Sequence, residues 1–508
     1  MRRTKILATL GPSSDSPRII EGLIKVGVDV VRLNFSHGEP EEHIRRARTV
    51  RRIAARLGRY VGVLGDLQGP KIRVERFREG RVQLRNGQRF TLDSSLDRRA
   101  GSSKRVGVTY APLAADVEPG DTLVLDDGRI VLEVLDVDGT AVHTRVSVGG
   151  TLSDNKGINL RGGGLSAPAI TEKDRRDIKL AARIGVDFLA VSFPRCADDL
   201  HLARSLLRKA AIDGAAGETG YGEASIVAKV ERAEALEVIG EIVEASDAIM
   251  VARGDLGVEI GDAELPAVQK ELISRAREAN RAVITATQMM ESMIDNPIPT
   301  RAEVFDVANA VMDGTDAVML SAESAAGRFP VQAVRAMTEI CEKAEQHPRA
   351  RISRHRIDQQ FDSADEAVAM ATMYTANHLD VKAIAALTES GRTPMWMSRI
   401  SSGIPIYALS SHDRARARMT LYRGVYPVDY DSTRLTNSNE ANRAAVEILA
   451  GQRIVGEGDL VVITKGDVVG AGSHTNSMKI VRVGDWLSRN DEAGDEAGDG
   501  DGRGDAAE

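Results

Sequence analysis

The chain is poor in aromatic residues, in cysteine and in long apolar runs, and each shortage removes a class of protein. Eight Phe, eight Tyr and two Trp make up only 4% of 508 residues, while 42% are hydrophobic, so a large core has to be aliphatic. Two cysteines, Cys196 and Cys341, give no disulfide framework and fit a reducing, cytoplasmic setting. No apolar run approaches the roughly 20 residues of a membrane span. The opening Met1–Leu10 has a basic head, but Thr9 and then Gly11-Pro12 interrupt its apolar stretch, which reads as a first strand rather than a leader. Positive charge is not in excess either. The net charge of −7 sits in residues 490–508, which hold eight acids and one base, Arg503, leaving 66 bases and 66 acids elsewhere. A neutral body argues against a nucleic-acid binder. The acidic tail, 488–508, has almost nothing to bury and is expected to be disordered.

What is present is a repeat. Four times an Asp introduces a short apolar strand that ends in polar groups. Asp29-Val30-Val31-Arg32 runs to Asn34, Asp187-Phe188 to Ser192, Asp247-Ala248 to Arg253-Gly254-Asp255, and Asp316-Ala317 to Ser321 and Glu323. Buried parallel strands with polar carboxyl ends describe a barrel enzyme. Eight strand-then-helix units can be placed, with strands near Lys5–Leu10, Val28–Asn34, Val61–Asp66, Phe188–Ser192, Ser225–Val230, Ala248–Val251, Ala282–Ala286 and Ala317–Leu320. Helical patterns follow them, for example at Ala233–Ala245 and Thr300–Met312.

The expected architecture is α/β: a (β/α)8 barrel from 1–69 and 168–345, a small β-barrel lid domain at 70–167 inserted after the third strand, and a C-terminal α/β domain at 346–487. Asn86-Gly87, Asp126-Asp127-Gly128 and Asp138-Gly139 are the hairpin signals of the insertion. Strands near Ala383–Leu387, Pro405–Leu409, Val425–Val428, Leu460–Thr464 and Lys479–Val483 make up the last domain.

The chemistry gathers at strand ends. Lys229 and Glu231 alternate onto one side of the fifth strand. The Lys suits a developing anion, and Glu231 is either a metal ligand or a salt-bridge partner. Asp255 can join it around a hard divalent cation such as Mg2+, or simply cap a turn. Gly254 lets backbone amides approach an anion, and Thr287 offers a hydroxyl. Together with Arg32, Asn34, Ser36, Asp66, Lys71, Arg73, Ser321 and Glu323, these groups suit an anionic, metal-bridged phosphate substrate. In the C-terminal domain, Thr388-Glu389-Ser390-Gly391-Arg392-Thr393 follows a strand and opens a helix, where hydroxyls and amides can hold phosphate.

Several segments resemble the pyruvate kinase family: Lys5–Pro12, Arg32-Leu33-Asn34-Phe35-Ser36-His37-Gly38, Asp66-Leu67-Gln68-Gly69-Pro70-Lys71-Ile72-Arg73, Lys156-Gly157-Ile158-Asn159-Leu160, Lys229-Val230-Glu231, Met250–Ile260, Ala286–Met293 and Pro299–Glu303. The resemblance runs from about residue 4 to 484 and implies transfer of the phosphoryl group of phosphoenolpyruvate to ADP, giving pyruvate and ATP. It implies that Arg32 contacts the transferring phosphate and that Lys229 stabilises charge on that phosphate and on the enolate oxygen. Glu231 and Asp255 would hold Mg2+ or Mn2+, and the amides of Gly254 and Asp255 with the Thr287 hydroxyl would bind the substrate carboxylate. Arg73 and Lys156 would grip the nucleotide phosphates, with Asn34, Phe35, Ser36 and His37 nearby, and Ser321 would belong to a proton relay. Asn34, Ser36, Asp66 and Leu67 occupy K+-ligand positions, yet Lys71 stands where K+-dependent members carry Glu, so its ammonium is expected to replace the ion. Thr388, Ser390, Gly391, Arg392 and Thr393, with a second loop at Lys465–Asn476, would bind a phosphorylated allosteric effector. A cytoplasmic homotetramer is the family's usual state. Arg161 stands where the family usually has Pro and precedes Gly162-Gly163-Gly164, which reads as a less stiff hinge. Two alternatives are a phosphoenolpyruvate-type barrel C–C lyase, which would lack the lid and last domain, and a catalytically silent metabolite-sensing homologue.

Overall fold

The computed structural model describes residues 1–214, 224–351, 360–431, 438–466 and 474–485. The acidic tail therefore lies outside the described residues, as does most of the second effector loop. The chain forms two compact units, Thr4–Ala344 and a second made of Met1–Arg3 with Glu345 onward. In the second unit Arg3 is the stitch. Its guanidinium donates to the carbonyls of Glu345, Ala350 and Ser402, and its own carbonyl accepts the Gly424 amide at 2.9 Å.

Eight parallel strands close the barrel in chain order: Lys5–Leu10, Val30–Asn34, Gly62–Asp66, Phe188–Val191, Ser225–Val230, Ala248–Ala252, Ala282–Ala286 and Ala317–Leu320. Helices cover the outside and packed side chains fill the inside, so the strands are buried on both faces and read as near-continuous aliphatic runs. One expected helix divides. The 233–245 pattern is two short helices, Glu234–Glu237 and Ile239–Ala245, separated at Val238 (φ −110°, ψ 22°).

The repeated Asp has a structural duty. Each Asp of the repeat makes two hydrogen bonds to one residue of the preceding strand. Asp29 donates its amide to Ile6 O (3.0 Å) and accepts the Ile6 amide on Oδ2 (2.9 Å). Asp187 does the same to Val63 (2.8 and 2.7 Å), Asp247 to Ile226 (2.9 and 2.7 Å) and Asp316 to Val283 (3.0 and 3.0 Å). The clip always runs from the turn before an even-numbered strand back to the odd-numbered strand before it. The carboxylate supplies the acceptor that a neighbouring strand, just emerging from its turn, does not yet offer. The barrel floor is thus four two-strand units closed by one device.

The insertion is a six-stranded sheet in the order Ile158–Leu160, Thr122–Leu125, Ile130–Asp138, Ala141–Val148, Arg89–Asp93, Arg105–Gly107, beside a ribbon of Arg81–Leu84 and Gly150–Ser153. It has its own aliphatic core around Phe90. Asp138-Gly139 and Asp126-Asp127-Gly128 do turn hairpins, joining strands that pair directly. Asn86-Gly87 does not. The strands on either side of it pair elsewhere, and it carries the chain from the ribbon to the large sheet. The second unit holds a five-stranded sheet ordered Val425–Asp429, Ile406–Ser410, Val381–Leu387, Leu460–Lys465, Ser477–Arg482, with only the last strand antiparallel.

Removing one clip should cost what a buried, unpaired amide costs. Asp187→Ala strands the Val63 amide and should destabilise the barrel by about 1–3 kcal/mol, while Asp187→Asn, which keeps an acceptor oxygen, should lose less. Thermal melting of the two variants checks this order.

Candidate active site

The carboxyl ends of the barrel strands carry a line of alternating charges, buried except for the half-buried Arg32. Arg32, on the second strand, donates Nε to Asp66 Oδ2 at 2.6 Å and Nη1 to Thr9 Oγ1 at 3.1 Å. Asp66, which ends the third strand, is fully buried, and its Oδ1 lies 3.3 Å from Lys229 Nζ. Lys229 reaches Glu231 Oε1 at 2.9 Å and donates to Ser192 Oγ at 2.6 Å. Glu231 Oε2 then accepts the Phe193 amide at 2.9 Å. The expected pairing of Lys229 with Glu231 is present, and Asp66 joins it from a strand nearly adjacent.

The electrostatics follow from burial opposed by neighbours. Burial would raise the Asp66 pKa, but Lys229 and Arg32 outweigh it and hold the carboxyl below its ordinary value. Burial would lower the Lys229 pKa, yet Asp66 and Glu231 keep it raised, so the ammonium stays charged. Glu231 is pushed up by burial, relieved in part by Lys229 and pushed further by the like charge of Asp255.

Asp255 lies in the first turn of the helix Arg253–Ile260, and its Oδ1 is 3.1 Å from Lys71 Nζ. The Gly254 amide donates to Thr287 Oγ1 at 2.8 Å. Thr287 and Gln288 both have positive φ, +64° and +54°, a strained conformation for side chains with a Cβ. Arg253 holds it. Its Nη2 donates to Thr287 O at 2.7 Å, its Nε to Ala286 O at 3.2 Å, and both Nη atoms grip Asp306 at 2.7 and 2.8 Å. Asp306 sits on the helix Arg301–Asp313, more than fifty residues on in sequence, so no local pattern points to it.

Not every expected site residue joins this line. The Ser321 hydroxyl is buried without a hydrogen-bond partner among the described residues, while its amide donates to Glu323 Oε2 at 2.7 Å. Three of the four K+-ligand positions have oxygens engaged within the protein. Asn34 Oδ1 accepts the Ser36 amide (3.1 Å), Leu67 O accepts Ser192 Oγ (2.7 Å), and Asp66 is taken by its two cations. Arg73 and Lys156 meet at the two roots of the insertion, where Arg73 bridges Gly157 and donates to Asn155 O at 2.8 Å, and Lys156 pairs with Asp126 at 2.6 Å. The Phe35 carbonyl is held by Lys173 at 2.6 Å, a residue without a sequence signal. Burial, then the charges of Arg73, Arg32, Lys173 and Lys71, lower the His37 pKa, so this loop lies in a cationic field. In the second unit, Thr388 Oγ1 accepts the Gly391 amide (3.0 Å), Ser390 Oγ accepts the Arg392 amide (3.3 Å), Thr393 pairs with Thr475 (2.7 Å), and the Arg392 guanidinium lies over the Trp396 ring. Residues 467–473 of the second loop lie outside the described residues.

A further carboxylate stands where the insertion returns to the barrel. Glu259 Oε2 accepts the Ala233 amide (2.8 Å), its Oε1 faces Asn159 Nδ2 (3.4 Å), and its carbonyl accepts the Gly162 amide (3.1 Å). Burial, aided by Glu234 and opposed by the Ala233 amide, raises its pKa to about 7. With a folded pKa above the unfolded one, its stability contribution is full below the ordinary Glu range and is lost as pH rises through about 7. Glu259→Gln should remove that dependence. Between about pH 5 and pH 8 the wild type should lose about 2.5 kcal/mol more than the variant, and melting curves at both pH values check it.

Comparison with known proteins agrees with this geometry. The family model "Pyruvate kinase, barrel domain" matches residues 1–334, and "Pyruvate kinase, alpha/beta domain" matches residues 366–481. Pyruvate kinase II of Salmonella typhimurium is 57% identical over 487 residues, covering 95% of this chain and 99% of the relative. A pyruvate kinase of Haemophilus influenzae is 55% identical over 470 residues, covering 92% and 96%. The crystal structure of a pyruvate kinase from Cryptosporidium parvum superposes with a TM-score of 0.85 at 32% identity, covering 95% of this chain and 96% of that one. Matches of that extent on both units go beyond a shared barrel: the chain belongs to the pyruvate kinase family, and it is a phosphotransferase.

Proposed function

We propose that this enzyme transfers the phosphoryl group of phosphoenolpyruvate to ADP, giving pyruvate and ATP, with a divalent cation, Mg2+ or Mn2+. The observation that carries the reading is the line Arg32–Asp66–Lys229–Glu231 beside the Gly254 amide and Thr287. Phosphoryl transfer asks a protein for positioning and charge neutralisation more than for covalent chemistry. Arg32, held by Asp66 and Thr9, and the buried Lys229, kept charged by Asp66 and Glu231, suit the transferring phosphate and negative charge developing on the enolate oxygen. The turn at Gly254 and Asp255, with the Thr287 hydroxyl, suits the substrate carboxylate. Arg73 and Lys156, near the Asn34–His37 loop, suit the nucleotide phosphates.

Glu231 and Asp255 fit a hard cation, since Asp255 is close enough to raise the Glu231 pKa and each carboxylate faces a lysine, Lys229 and Lys71 respectively. When bound there, the cation would neutralise phosphate and enolate charge. A Ser321 role in protonating the enolate rests on its unpartnered hydroxyl. K+ independence is supported by the oxygens of Asn34, Asp66 and Leu67 being already engaged, and by the Lys71 ammonium reaching Asp255. We also read the 70–167 insertion as a closing lid, Thr388–Thr393 as a phosphate-effector loop, and the enzyme as an allosteric, cytoplasmic homotetramer.

Pyruvate formation from phosphoenolpyruvate, ADP and Mg2+ in K+-free buffer tests the reading. Full activity without K+ is expected, and Lys229→Met should lose about 10³-fold in kcat. Lys71→Glu should become dependent on added KCl. If that variant is fully active without K+, the role given to Lys71 fails while the enzyme assignment stands. If the wild type makes no pyruvate, the silent-homologue alternative returns.

A further inference from the structure

The helix Pro40–Arg56 carries six arginines, and half of them have fold duties. Arg46 is buried and pairs with Asp15. Arg51 donates to the carbonyls of Ile184 and Gly185, and Arg56 pairs with Glu21. The other three, Arg45, Arg48 and Arg52, share the opposite face at i, i+3 and i+7 with Thr49 between them. They line one open groove, and Arg183 of the helix Glu172–Ile184 contributes a second wall. Because Arg51 ties the end of that second helix to the first, the two walls are held in fixed relation.

The charge in this groove is not spoken for. Among the described residues, the guanidiniums of Arg48 and Arg52 have no hydrogen-bond or ion-pair partner. Arg45 reaches Asp15 at 3.4 Å and Arg183 reaches Glu41 at 3.9 Å, both long and exposed and worth little. Guanidinium cannot shed its proton, so like charges stacked along one helix face repel. The buried face of the helix, around Ala47, Val50, Ile53 and Ala54, does not need them. Forked donors in a fixed cluster match phosphate oxygens, and several cations call for more than one negative charge. Glu41 sets one carboxylate among these arginines, and Ile44 adds an apolar strip to the lining.

We propose that the groove of Arg45, Arg48, Arg52 and Arg183 is a binding site for a small phosphate compound carrying at least two negative charges. It is separate from the line of charges at the barrel mouth and from the Thr388–Thr393 loop, and shares no residue with either. Arginine footprinting of the intact protein with phenylglyoxal, read by mass spectrometry without Mg2+, tests it with inorganic pyrophosphate as the probe. Pyrophosphate should slow modification of Arg48 and Arg52 by about fivefold or more, while NaCl at equal ionic strength should not. In Arg48→Ala/Arg52→Ala, whose kcat should be unchanged, protection of Arg45 and Arg183 should be lost. Equal modification with and without pyrophosphate overturns the proposal, and so does equal protection by NaCl. Protection by polyglutamate but not by pyrophosphate would also overturn it, by making the groove a peptide surface.

Discussion

Four charges lie in a line at the barrel mouth, three of them (Asp66, Lys229 and Glu231) buried, and none of the three could be there alone. Moving an ion out of water costs several kcal/mol even after the protein relaxes. Asp66 and Glu231 are tolerable because Lys229 lies between them, and Asp66 also has Arg32. The arrangement is therefore cooperative in composition: deleting one member leaves its neighbours as uncompensated charge. The line is also tied to the backbone and hydroxyls around it. A hydroxyl and an amide, Ser192 Oγ and Phe193 N, take up hydrogen-bonding capacity that the ions do not give each other. Rigid, dehydrated cations cost no reorganisation when an anion arrives, which is what electrostatic catalysis requires.

Such a mouth can be held only if the strand ends do not move, and the opposite end of the barrel shows how that is arranged. The Asp clips at Asp29, Asp187, Asp247 and Asp316 pin alternate pairs of strands where their ladders would otherwise start with unpaired amides. At the mouth itself Arg253 does the corresponding work. Its hydrogen bonds to the Ala286 and Thr287 carbonyls, backed by two contacts to Asp306, over-determine a stretch of backbone whose positive φ angles would otherwise relax. Within that stretch the Thr287 hydroxyl accepts the Gly254 amide and donates to Ala286 O at 2.7 Å, so both of its roles are filled by backbone.

The strands and the family were legible because buried parallel strands write themselves as aliphatic runs, and because the strand-end residues fall in short fixed strings. Lys229 and Glu231 were readable as neighbours from alternation alone. What was not legible depends on partners distant in sequence. The role of the repeated Asp needs the neighbouring strand, Arg253 needs Asp306, and Lys173 needs the Phe35 carbonyl. Asn86-Gly87 misleads for a related reason. A turn dipeptide states that the chain reverses, not which strand it will pair with afterwards. The split at Val238 leaves no mark in the periodicity of 233–245 either.

The root of the insertion shows how far composition can mislead about stiffness. A run of three glycines after Arg161 suggests slack. Yet Gly162, Gly163 and Gly164 take φ of +87°, +83° and +106°, a shape that other residues rarely adopt. A Cβ on Gly163 would collide with Glu234 Oε2. The Gly162 amide is spent on Glu259 O, and the Gly163 amide on Leu160 O at 3.0 Å. Glycine here permits one closely fitted path of the backbone past two carboxylates. The freedom that the sequence advertises belongs to the unfolded chain, and folding removes it. Movement of the insertion would then have to break the contacts of Glu259 rather than exploit loose backbone, which makes that carboxylate, rather than the glycines, the element that sets how firmly this root is held.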